Sequence, residues 1–213
     1  MIKNFFLPVL MVLAVGVANG QTSTLSFKAG ISNCKTKTVQ EPATNLIIAG
    51  FDDRIGGLIG GQYTYKVSRY FSIGIELLYL LKGNTSITPA EKTIYSNHYL
   101  SLSPVISFFP FVNSGNKYIS CISPEVSFNF NYLVATNKDW RAFGNSKFYP
   151  NELGYSLNLT YQPGKYGVQL FYFRSISPFY KTQWGKPTVN DYKYSFVTGI
   201  SIIYKIFSPH SKP

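Results

Sequence analysis

Along much of the chain, apolar side chains alternate with small or polar ones at a spacing of two, the period of a strand facing lipid on one side and a filled interior on the other. Residues 71–83 show it best: Phe71, Ile73, Ile75, Leu77, Tyr79 and Leu81 share one face, and Ser72, Gly74, Glu76 and Lys82 the other. In 24–35, Leu25, Phe27, Ala29 and Ile31 oppose Ser26, Lys28, Gly30 and Ser32. In 56–68, Ile59, Tyr63, Tyr65 and Val67 oppose Gln62, Thr64, Lys66 and Ser68. Further segments at 97–111, 117–136, 151–162, 166–179 and 191–207 bring the expected strands to eight.

The links sort by length. Short ones fall around 68–70, 112–116 and 162–165, the last two carrying Asn, Gly, Ser or Pro turn chemistry. Long ones run over 36–55, 84–96, 137–150 and 180–190. Three short and four long links in alternation are what an up-and-down barrel with both termini in the periplasm requires. A soluble β-sandwich has no reason to sort its loops this way. The fold class expected is therefore all-β, an eight-stranded antiparallel up-and-down transmembrane β-barrel.

Residues 1–20, MIKNFFLPVLMVLAVGVANG, place Lys3 before an apolar stretch from Phe5 to Val17, followed by Ala18 and Gly20. This reads as a secretory signal peptide cleaved near Gly20/Gln21, since the apolar stretch is too short for an anchor. The barrel then occupies 21–207 and a short tail 208–213. Cleavage would leave 193 of the 213 residues and lower the formal charge from +11 to +10, Lys3 being the only charge lost. Charged residues are only 14% of the chain, too few for an ordinary soluble surface. No apolar run after the N-terminus approaches the roughly 20 residues of a membrane helix. The compartment expected is the cell outer membrane.

Cys34 and Cys121 are too few for a disulfide framework and lie toward opposite ends of the expected barrel, so both should be free thiols. The tyrosines and phenylalanines gathered near strand ends, such as Tyr70, Phe71, Tyr118, Tyr161, Tyr166 and Tyr204, fit aromatic girdles at the two water interfaces. A stacking platform for sugars or bases explains them less simply.

Eight strands enclose a lumen just wide enough to be filled by side chains. The inward candidates are Lys28, Gln62, Lys66, Glu76, Lys82, Glu125, Asn129, Gln169 and Lys205. Charges in such a space need partners. Lys28, Lys66, Glu76, Lys82, Glu125 and Lys205 are therefore expected to form a lumen charge network, with Glu76 and Glu125 paired to lysines such as Lys28 or Lys66. An ion or small-solute path is the competing reading.

Catalytic chemistry has little to build on. His98 and His210 are the only histidines. His98, with Ser96 and Glu91 near it in sequence, loosely resembles a serine-hydrolase set, but no spacing rule selects it. Asp52 and Asp53 beside Arg54 read as a solvated loop cluster before a cation site. No phosphate cradle and no Cys/His metal spacing occurs, so no cofactor or metal is expected. Export and dispersed basic residues argue against nucleic acid. In the third long link Lys138, Arg141 and Lys147 against Asp139 leave a net positive charge suited to lipopolysaccharide.

The stretch Gly56 to Gly83, GGLIGGQYTYKVSRYFSIGIELLYLLKG, resembles the second and third strands of the PorT-like outer-membrane β-barrel proteins of Bacteroidetes-type bacteria. LSFKAGIS at 25–32, HYLSLSPVISF at 98–108 and YKIF at 204–207 extend the resemblance over nearly the whole expected mature chain. The family's fourth strand commonly reads Tyr-Leu-Glu-Ile-Pro, whereas here Ser101 replaces Glu and Pro104 comes one position late, so a register change or bulge is expected there. The resemblance implies an eight-stranded outer-membrane barrel without a catalytic motif, some members being similar to a component of type IX protein secretion.

The function expected is that of a non-enzymatic outer-membrane barrel with a structural, surface-interaction or secretion-associated role. Its partners would be outer-membrane lipid, lipopolysaccharide and, through the resemblance, secretion-machinery subunits. A narrow channel or transport accessory is the alternative, and an outer-leaflet lipid-modifying enzyme the next.

Overall fold

A computed structural model describes residues 23–41, 51–87, 92–137, 147–184 and 189–207. The expected signal peptide and tail lie outside the described residues, as do Glu91, Lys138, Asp139, Arg141 and His210. The strands are β1 (Ser23–Glu41), β2 (Phe51–Asp52), β3 (Arg54–Lys66), β4 (Phe71–Ile87), β5 (Lys92–Phe108), β6 (Ile122–Thr136), β7 (Lys147–Phe148), β8 (Asn151–Tyr161), β9 (Tyr166–Ser175), β10 (Tyr180–Trp184) and β11 (Val189–Phe207). Eight of them form the wall, in the order β1-β3-β4-β5-β6-β8-β9-β11, every pair antiparallel. Pairing of β1 with β11 from Leu25↔Phe207 to Glu41↔Asn190 closes the barrel. Closure removes the sheet edges that lipid could not satisfy.

The period-two pattern becomes two surfaces. Ile31, Ile59, Ile73, Leu77, Ile106, Val126, Leu157, Leu170 and Ile202 are exposed on the outside. Ser26, Ser32, Ser72, Ser101, Ser103, Ser127, Ser156 and Ser201 are buried on the inside. Such an inverted distribution is stable only where lipid covers the wall, and the barrel is thus a membrane-spanning one. Small inward side chains match the narrow bore. Rings collect at the end that carries the three short links, where Phe71 stacks on Phe108 with centroids 5.0 Å apart and Tyr166 meets Tyr204 at 5.2 Å.

All eight expected segments contain a wall strand, but their ends move. The segment expected at 117–136 begins only at Ile122, because a 3-10 turn at Ile119–Cys121 precedes it, and the link between β5 and β6 runs over 109–121 rather than 112–116. Asn116 accepts the Tyr118 N–H at 2.9 Å and opens that turn. The strand expected over 166–179 stops at Ser175, where the Ser177 hydroxyl takes the Leu153 N–H at 2.8 Å in place of a further ladder bond. Expected loop at 84–96 is mostly strand, since β4 and β5 continue pairing to Ile87↔Lys92. The register runs through Pro104 unshifted, opposite Ile75. The irregularity lies instead between His98 and Tyr99, which face Ala135 and Leu133, so Val134 is the extra residue. Proline removes a donor without adding a residue, and so leaves the register intact.

Candidate functional site

Two polar tiers cross the lumen. In the lower, nearer the short links, the Lys28 ammonium on β1 donates to Glu76 Oε2 on β4 at 2.5 Å and to Gln169 Oε1 on β9 at 3.1 Å. Gln169 Nε2 passes the network on, donating to Glu125 Oε2 on β6 and to Thr160 Oγ1 on β8, both at 2.9 Å. Thr160 donates in turn to Glu125 Oε1 at 3.1 Å. Lys28 is only 1% exposed, so its charge depends on these partners.

The upper tier centres on Lys82 of β4. Its ammonium donates to Glu152 Oε2 on β8 at 2.6 Å and lies 3.9 Å from the Phe173 ring centroid and 5.0 Å from that of Tyr99. Asn131 Nδ2 donates to the same carboxylate oxygen at 3.2 Å. Between the tiers, Asn129 donates to Ser103 at 2.7 Å and accepts from Ser156 at 2.8 Å. Buried charges among the described residues balance, with Lys28, Lys82 and Lys193 against Glu76, Glu125 and Glu152.

Above the upper tier, Tyr95, Phe179 and Tyr180 form a buried aromatic cluster. Phe179 is held there by backbone bonds on both sides, donating to the Lys193 carbonyl and accepting from the Tyr149 N–H, each at 2.9 Å. A small cavity beneath is lined by Cys34, Lys82, Asn97, Tyr99, Phe179 and Ser195. The cluster and the tiers thus set buried side chains across the bore at successive levels.

Several expected site residues sit elsewhere. Lys66 is not in the lumen network: as the last residue of β3 it is exposed at the rim, 5.9 Å from the Phe109 ring centroid. Among the described residues Glu125 has no lysine directly upon it and is linked to Lys28 through Gln169. Lys205 is half-buried at the turn end, its N–H bonded to the Lys165 carbonyl at 2.8 Å, away from both tiers. Period two gives a side chain's face but not its depth, and both lysines lie at the ends of their strands. Glu152, Asn131 and Thr160 were missed by sequence reasoning. Their alternation with Leu153, Leu157, Leu159, Phe130 and Tyr132 was the signal available.

Of the loosely catalytic set, His98 and Ser96 each have other partners, and Glu91 lies outside the described residues. His98 Nδ1 pairs with the Tyr79 hydroxyl at 2.5 Å, while Ser96 Oγ accepts from Arg54 at 2.5 Å and its N–H donates to Asn137 Oδ1 at 2.7 Å. Asp53 accepts from Lys35 at 2.9 Å and from Asn33 at 3.0 Å. The Lys35 contact, and then the Asn33 amide, hold the Asp53 carboxyl below the usual aspartate range. Among the described residues no group of three or more His, Cys, Asp or Glu could hold a metal.

No protein-family model matches the chain, and no curated protein does. Among solved structures, the barrel is similar to the outer membrane protein OprG from Pseudomonas aeruginosa, with a TM-score of 0.50 and 11% identity over 87% of this chain and 98% of that one. It is equally similar to Neisserial surface protein A, with a TM-score of 0.50 and 10% identity over 87% of this chain and 100% of that one. The shared architecture is the small outer-membrane β-barrel, and this chain is a barrel of that kind in a bacterial outer membrane.

Proposed function

We propose that the protein acts as a closed, non-enzymatic outer-membrane barrel whose work is done at its surfaces. The observation that carries this reading is that two hydrogen-bonded tiers, anchored by Lys28–Glu76 and Lys82–Glu152, cross the bore under the Tyr95, Phe179 and Tyr180 cluster. A solute crossing it would have to break buried ion pairs whose loss leaves an uncompensated charge. Engagement of His98 by Tyr79 and of Ser96 by Arg54 supports the absence of hydrolytic chemistry.

At the loop end, Lys35 and Lys37 on β1 are exposed, and Lys181 on β10 is partly so. That charge suits the phosphate groups of lipopolysaccharide, the partner proposed for the outer loops. A secretion-associated role rests on the PorT-like resemblance of 56–83 and is read by co-purification of secretion-machinery subunits. The closed-bore reading is tested by planar-bilayer recording of the folded protein. The expected result is no steady conductance, and large, steady channel currents would overturn it in favour of the transport alternative.

A further inference from the structure

The turn end of the barrel carries a charge distribution that the lumen does not explain. Its three links, 67–70, 109–121 and 162–165, contain Arg69, Lys117 and Lys165 and not one Asp or Glu. Lys66 and Lys205, near the ends of β3 and β11, add to the same rim. Since buried lysines and glutamates among the described residues balance, they do not compensate this rim charge.

The exposed cations occupy all three strand corners at this end: Arg69 lies at the β3/β4 corner, Lys117 at β5/β6 and Lys165 at β8/β9, with the half-buried Lys205 by the β11/β1 seam. Four of the five sit over rings: Lys66 is 5.9 Å from the Phe109 centroid, Arg69 5.1 Å from Tyr70, Lys117 5.2 Å from Tyr118 and Lys165 5.0 Å from Tyr204. Tyrosine at a membrane interface settles at headgroup depth, which sets the height of the cations above it. The Tyr204 hydroxyl beside Lys165 also raises that lysine above its usual range, so it stays charged.

The links themselves are ordered. Ser68 Oγ accepts from the Tyr70 and Phe71 N–H groups at 3.2 and 3.1 Å, Asn113 Nδ2 donates to the Tyr70 hydroxyl at 2.7 Å, and Ser114 Oγ accepts from the Asn116 N–H at 3.2 Å. Cations on an ordered frame lose less entropy when they meet an anion.

We propose that this rim is a binding ring for the phosphate headgroups of anionic phospholipid in the periplasmic leaflet. The encircling arrangement selects the partner: lipid meets the barrel from every side, whereas a docked protein would need its complementary charge gathered on one. Juxtamembrane cations of this kind attract anionic lipid and lose that attraction as salt screens them.

The test uses the folded, full-length protein in phosphatidylcholine vesicles with spin-labelled phosphatidylglycerol or spin-labelled phosphatidylcholine as the probe. Electron spin resonance then gives the fraction of each label immobilised at the barrel. The glycerol lipid should be preferred about fivefold at low salt and close to equally at high salt. Replacing Arg69, Lys117 and Lys165 together by Gln should remove most of the preference. The loop-end set Lys35→Gln with Lys37→Gln and Lys181→Gln should lower it by much less than the turn-end set does. Heat-modifiable gel mobility, retained in both variants, separates lost binding from lost folding. Equal immobilisation of the two lipids by the native protein would overturn the proposal. So would a preference that follows the loop-end lysines, or binding of soluble polyglutamate by the rim with no lipid selectivity.

Discussion

Lys82 and Glu152 meet 2.6 Å apart across the lumen, from β4 and β8, with side chains 6% and 0% exposed. Three strand positions around the ring separate β4 from β8, so the pair ties opposite walls together. Phe173 and Tyr99 enclose the ammonium, and Asn131 shares the carboxylate. The contact joins residues 70 positions apart and can form only when the barrel is closed.

Removing one member of this pair leaves the other charge buried without a partner, which costs about 3–5 kcal/mol. Lys82→Met and Glu152→Leu should each lower the urea midpoint of the barrel in lipid vesicles. The double variant should lose less than the sum of the two. Lys37→Gln on the exposed face of β1 serves as the control and should stay within about 0.5 kcal/mol of the native protein. Single variants as stable as that control would show that the upper tier contributes nothing to holding the walls.

The two surfaces of the wall could be read from period two alone, because lipid and a polar bore demand opposite side chains at adjacent positions. Lys28, Glu76, Lys82 and Glu125 follow that inward parity, and all four are buried. Depth along the bore is another matter: Lys66 obeys the inward parity of β3, yet as its last residue it emerges at the rim. Glu152 was hidden for the converse reason. It is the second residue of β8, next to a long link, where the alternation has only begun. Pairing between strands distant in sequence, as in Lys28 with Gln169, depends on closure and shear and has no local signature.

Cys34 and Cys121 mark opposite ends of the barrel. Cys34 is 3% exposed, packed with Phe173 and Val197, while Cys121 closes the 3-10 turn before β6 and is half-buried. A bulky maleimide should therefore modify one thiol in the folded protein and two after unfolding, with the native site mapping to Cys121. Pretreatment with reductant should change neither count. A second thiol that appears only after reduction would mean a disulfide and would contradict the separation of the two ends.

Asp53 offers a pH-dependent contact outside the membrane wall. It joins the link before β3 to β1 through Lys35 and Asn33, and both of its contacts favour the ionised carboxylate. A carboxyl whose folded pKa is depressed contributes stability above its unfolded pKa and loses it as pH falls through the folded value, so the contact should persist through neutral and mildly acid pH and break only below the usual aspartate range. Its side chain is 43% exposed and that of Lys35 is 61% exposed, which keeps the energetic effect small and sensitive to salt. Carbon-detected NMR titration in a membrane mimetic should place the Asp53 midpoint below the usual aspartate range. Lys35→Gln should return it upward, and added salt should do so in part. A native midpoint at or above the usual range would mean that the β1 contact is not made in solution.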